Sequence, residues 1–179
     1  VVLSFIYDAM DKPEEAENIL LEALGLGYAR ADIFLGFHYE ERELLDLAEQ
    51  HFKAACELSG ASEMHDYGNF LKKSSRMDEA FEWLWKSYNA GELSAALSLA
   101  KATDAYFTNT GKLRSTEQFN AVLDALRKAS DKGLRRADAV LMDFLEHDEA
   151  VQYAMERGTK GDAWARKFLA NHFRLEGDV

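Results

Sequence analysis

The sequence predicts an all-α protein, a solenoid of stacked antiparallel helix pairs. Three observations carry this expectation. Residues recur at an interval of 32, with Ala16, Ala48 and Ala80 in one register and Leu3, Leu35, Tyr67 and Leu99 in another. The apolar positions between them fall on helical stripes. A glycine placed to end a helix separates the stripes of most pairs. A fixed period of this length marks supersecondary units that cannot bury an apolar face alone. The chain has 179 residues, 47% of them apolar and 30% charged, and a single proline, so it has room for a core and few helix breakers.

In chain order, the apolar opening VVLSFI lies on the repeat register at Leu3-Ser4 and reads as helix. It has no basic flank, and Tyr7-Asp8 ends the run too early for a signal peptide. Pro13, in Asp11-Lys12-Pro13-Glu14-Glu15, is placed to open the next helix. The first full unit follows as Ala16, Ile19, Ala23, Leu24, Gly27, Ala31, Leu35, Gly36. The second reads Ala48, His51, Ala55, Cys56, Ser59, Glu63, Tyr67, Gly68, with Ser59 or Gly60 at the turn. The third is the most regular: Ala80, Trp83, Leu84, Ser87 and Tyr88 form one stripe, Gly91 the turn, and Ala95, Ala96, Leu99 and Ala100 the next.

The interval then stretches to 42 between Ala80 and Val122 and shrinks to 28 before Ala150. The extra residues are expected as an insertion loop near 103–116, carrying Tyr106 and Phe107 beside turn formers. Ser115 or Thr116 is placed to cap a helix from about Glu117 to Lys132. The fourth unit reads Val122, Ala125, Ala129, Ser130, Gly133, Ala137, Leu141, Met142, and the fifth Ala150, Tyr153, Arg157, Gly158, Gly161, Ala165, Leu169, Ala170. Residues 1–179 thus read as one repeat domain of about five helix pairs.

This pattern of A-x2-[W/I/Y], G-x3-A and x3-L-G resembles the Sel-one-like repeat, a relative of the tetratricopeptide repeat. The resemblance runs from Leu3 to about Phe173, and the third unit fits it most fully. It implies a right-handed superhelix that acts as a scaffold or adaptor, without catalysis and often in bacteria, binding a protein partner on its concave face or loops. Departures are Ser59 at the turn glycine, Glu63 at a small position, and the spacing after residue 100.

His38, His51, His65, His147 and His172 form no H-E-x-x-H, and His51 sits at the aromatic core position of its unit. Cys56, the only cysteine, falls at a packing position and excludes both an intrachain disulfide and a cysteine-rich zinc site. Gly158-Thr159-Lys160-Gly161 lacks the spacing of a phosphate loop. The reading is therefore no catalytic residue, no metal, no cofactor and no enzyme.

Net charge is −11, and residues 1–80 hold 17 acidic against 7 basic side chains while residues 81–179 hold 15 against 14. Such a field disfavours nucleic acid and anionic membranes and favours a basic protein partner. No run approaches the roughly 18 apolar residues of a membrane span. The cytoplasm is the favoured location, with the periplasm open should a leader have been removed upstream.

If the second helix of each unit lines the concave face, as the resemblance implies, the partner-binding candidates are Arg30, Phe34, Phe37, His38, His65, Asn69, Lys101, Arg135, Trp164 and His172. Tyr106 and Phe107 join them from the loop. Trp164, Phe168, Leu169 and Phe173 crowd the last helix, which leaves open an array cut from a longer one or an edge that docks onto a second copy. The alternative function is an acidic inhibitor or immunity protein that occludes the basic surface of a toxin or enzyme.

Overall fold

A computed structural model describes residues 12–28, 30–57, 60–111, 114–145, 147–159, 161–162, 165–167 and 169. Among them are the helices α1 (Pro13–Gly25), α2 (Ala31–Glu41), α3 (Leu45–Glu57), α4 (Ala61–Lys73), α5 (Met77–Asn89), α6 (Ala95–Thr110), α7 (Thr116–Asp131), α8 (Arg136–Phe144) and α9 (His147–Thr159), and no strand. From α1 to α8 each helix packs on the next in sequence, as a solenoid requires. The first and second helices of successive units alternate, and second helices also touch their own kind across the intervening first helix: α4 meets α6 and α6 meets α8. They form the tighter, inner side of the stack.

The repeat register is the core register. Ala16, Ala48, Ala80, Leu35 and Leu99 have no exposed surface, and Tyr67 has 1%. Backbone turns repeat with the same period. Within units, Tyr28 N–H donates to Ala23 O, Glu92 to Ser87 O, Leu134 to Ala129 O and Asp162 to Arg157 O, at 3.0–3.2 Å. These bonds wrap the helix end around Gly27, Gly91, Gly133 and Gly161, whose φ values of 81°, 107°, 96° and 94° only glycine adopts without strain. Between units, Leu44 N–H donates to Tyr39 O and Arg76 N–H to Leu71 O, and the left-handed residues there are Glu43 (φ 59°) and Ser75 (φ 61°), one period apart.

Two turn expectations are corrected. Gly60 is extended (φ −122°) and precedes α4 as its N-cap, so it does not replace the left-handed glycine. The Glu63 side chain folds back over it into the space a Cβ would need. Ser59 itself, like Leu3 and Ser4, lies outside the described residues. The loop expected near 103–116 is instead mostly helix: where the earlier units turn at Glu43 and Ser75, α6 continues to Thr110 and stops at Gly111 (φ 66°). Tyr106 and Phe107 are therefore helical residues. Ser115 caps α7 as expected, accepting a hydrogen bond from Gln118 N–H.

Candidate functional site

The small residue after each register leucine or tyrosine sets how closely units stack. A Cβ on Gly36 would lie 3.0 Å from the Phe52 ring of α3, and one on Gly68 would lie 2.8 Å from Leu84 Cγ of α5. These glycines thus let a second helix receive the first helix of the following unit. The stacking brings α4, α6 and α8 together on the inner side, with α2 joined to α4 through the Arg30–Glu63 pair, and these helices and their starts carry the candidates.

Their environments differ sharply. Arg30, just before α2, has a side chain 67% exposed; it pairs with Glu63 of α4 at 3.5 Å and lies over Phe34 at 5.8 Å. Phe34 and Phe37 are half-buried against the core, with the Phe37 ring edge-on to Phe52 at 5.2 Å. His38 is not a surface residue. Only 2% exposed, it is turned between Arg42, whose guanidinium lies 3.1 Å from Nδ1, and Glu17 at 3.9 Å. Its helix presents buried side chains on nearly every face, so a place on a second helix does not by itself put His38 at the surface.

His65 and Asn69 sit in a polar row. Lys72 Nζ donates to Asn69 Oδ1 (3.0 Å), Asn69 Nδ2 donates to His65 Nε2 (3.1 Å), and Ser98 Oγ of α6 lies 2.8 Å from the same nitrogen. With Nε2 accepting, the imidazole is neutral, and burial holds its pKa below the ordinary histidine value. Lys101, one turn beyond Ser98, is exposed beside Lys72. Burial and the neighbouring Lys101 and Lys73 charges lower the Lys72 pKa. Arg135 is exposed before α8. Trp164 and His172 lie outside the described residues.

Beside Lys101 opens a cavity of about 460 Å³ lined by Thr103, Asp104, Phe107, Phe119, Val140, Asp143 and Phe144. Phe107 is 48% exposed at it, whereas Tyr106 is half-buried beneath the Arg114 guanidinium, 4.4 Å from its ring. Sequence reasoning missed Phe119, Val140 and Phe144, which come from α7 and α8 and become neighbours only because the chain returns after the long α6. It also missed Arg114, a basic residue beside turn formers with no periodic partner.

With this arrangement established, the comparison with solved structures is decisive for the architecture. A crystal structure of a Sel1 repeat protein from Oxalobacter formigenes matches 95% of this chain and 74% of its own, with a TM-score of 0.62 and 22% sequence identity. The chain has the Sel1-repeat fold. No protein-family model and no curated protein matches it.

Elsewhere in this Sel1-like array the polar chemistry is structural. His51 pairs with the buried Asp32 at 2.8 Å, and three units later in the stack Asp138 accepts from Ser130 Oγ (2.6 Å) and Tyr153 Oη (2.8 Å). Both acids follow a register alanine (Ala31, Ala137) and meet the third residue after the next one (Ala48, Ala150). They serve as a polar lock between units. Burial pushes the Tyr153 hydroxyl up to about 12, with Asp138 adding to the shift, and burial pushes the Cys56 thiol up to about 12 as well, leaving it unreactive. Among the described residues, no group of three or more His, Cys, Asp or Glu side chains is arranged to hold a metal ion, and no helix is long and apolar enough to cross a membrane.

Proposed function

We propose that this chain is a noncatalytic protein-binding scaffold that engages its partner on the inner side of the stack. The observation that carries the reading is the unused polar and aromatic surface there. Lys101 and Arg135 are exposed, and Phe107 and its neighbours leave an open cavity beside them. Aromatic and long cationic side chains on a rigid scaffold are what protein interfaces draw on most. The acidic half favours this reading over occlusion of a basic enzyme, because many of its carboxylates hold the array itself together. Glu49 binds Arg76 and Lys53, Glu40 binds Lys73, Glu79 binds Arg76 and Glu63 binds Arg30.

Affinity capture from the native organism, followed by titration calorimetry with the purified partner, tests the proposal. Saturable binding is expected, weakened by Lys101→Ala and Arg135→Ala on the inner side and unchanged by Lys128→Ala on α7. A partner whose affinity is indifferent to every inner-side substitution would place its contacts elsewhere.

A further inference from the structure

On the inner side α4 and α6 lie next to each other, with His65 meeting Ser98 at 2.8 Å and Lys72 lying beside Lys101. In this acidic molecule two lysines of the same half each hold a carboxylate: Lys53 lies 2.7 Å from Glu49 and Lys73 lies 2.8 Å from Glu40. Among the described residues neither Lys72 nor Lys101 forms an ion pair. These two like charges stand on the facing helices α4 and α6, and one of them, Lys72, is half-buried and fixed by Asn69. Asn69 in turn is oriented by His65, so the row is preorganised before any ligand arrives. An arriving carboxylate relieves both the mutual repulsion and the burial of an uncompensated ammonium.

Lys101 also borders the cavity between Phe107, Phe119, Val140 and Phe144. The Phe119 and Phe144 rings stand 5.9 Å apart, and the volume of about 460 Å³ leaves room for a large apolar side chain. Asp104 and Asp143 at its border repel an anion, so the acidic group of a ligand belongs on the Lys72 side and a neutral one in the cavity.

We infer that the α4–α6 face binds an extended acidic segment of the partner, with an Asp or Glu side-chain carboxylate between Lys72 and Lys101 and an adjacent apolar side chain in the cavity. This rests on the scaffold reading above and names the chemistry its partner presents.

The test is selection of random peptides displayed on phage against the full chain and, in parallel, against the double variant Lys72→Gln/Lys101→Gln. The wild type is expected to enrich sequences in which Asp or Glu lies next to Phe, Leu or Trp, and the double variant to lose that enrichment. A selected peptide, synthesised and followed by fluorescence anisotropy, is expected to bind Lys101→Gln about tenfold more weakly. Its affinity for the wild type should fall with added salt. Enrichment without an acidic bias, an acidic bias that survives in the double variant, or no enrichment at all overturns the inference. Nonacidic peptides that lose affinity on Arg30→Ala or Arg135→Ala would do so while leaving the scaffold reading intact.

Discussion

Asp66 shows how one side chain can work against the fold that holds it. Burial raises its pKa from 3.8 to about 6, and the neighbouring Glu63 and Glu92 charges add to the shift, against a smaller opposing pull from Arg30. A carboxyl whose folded-state pKa is raised stabilises the fold while protonated, below its unfolded value. That contribution disappears as pH rises from 3.8 through about 6. Asp66→Asn is therefore expected to raise stability by about 1 kcal/mol at neutral pH, after allowance for partial exposure. At pH below about 4, where the native carboxyl is already neutral, the two proteins should match. Urea unfolding of both at the two pH values measures the difference; an equal gain at both would mean that packing, not ionisation, is responsible. His65 moves oppositely: its lowered pKa supplies stability above 6.5 that is lost as pH falls through the folded value. Comparing variant with wild type cancels that contribution.

Among the helices, two glycines of identical chemistry should answer the same substitution with opposite signs. Gly68→Ala would drive a Cβ to 2.8 Å from Leu84 Cγ and 3.2 Å from Leu84 N, and backbone cannot yield as a side-chain tip does. Overpacking of this kind costs about 1–3 kcal/mol and outweighs the gain of about 1 kcal/mol that alanine brings to a helix. Gly25, at the end of α1, has nothing within 4 Å of the same position, so Gly25→Ala keeps the propensity gain and stabilises. Thermal unfolding of the two variants checks the signs. The contrast also explains what the sequence could disclose. Ala80, Leu99, Gly91 and the Ser115 cap were readable because burial, helix termination and capping each demand one residue type at one spacing. The left-handed Glu43 and Ser75 were not, since neither residue type advertises that conformation. Nor was the cavity between Phe107, Phe119 and Phe144, which depends on how far α6 runs before the chain returns. The extension arises where a leftward turn one period after Ser75 would fall at Phe107, and the chain instead stays helical to Thr110.

Across the array, burial falls into two apolar clusters that divide along α5. Leu20, Ile33, Phe52, Tyr67 and Ala80 belong to one, and Phe81, Leu84, Leu99, Val122 and Leu126 to the other. The extra residues of the long interval enter the second cluster's edge through Arg114. Its side chain is 4% exposed, lies 4.3 Å over Phe81 and 4.4 Å over Tyr106, and donates to Met77 O (3.1 Å) and Asp78 Oδ1 (3.2 Å). One guanidinium thus ties the start of α5, the end of α6 and the entry to α7. In a stack where each unit touches only its neighbours, removing such a tie loosens the units it joins and spares the distant ones. Arg114→Ala forfeits two ring contacts and two hydrogen bonds and is expected to cost about 2–3 kcal/mol. Hydrogen exchange followed by mass spectrometry should locate that loss: protection falls across 77–131 and holds across α2 and α3. A loss spread evenly from α1 to α9 would mean that the array unfolds as one cooperative body, and that the two clusters are a division of geometry alone.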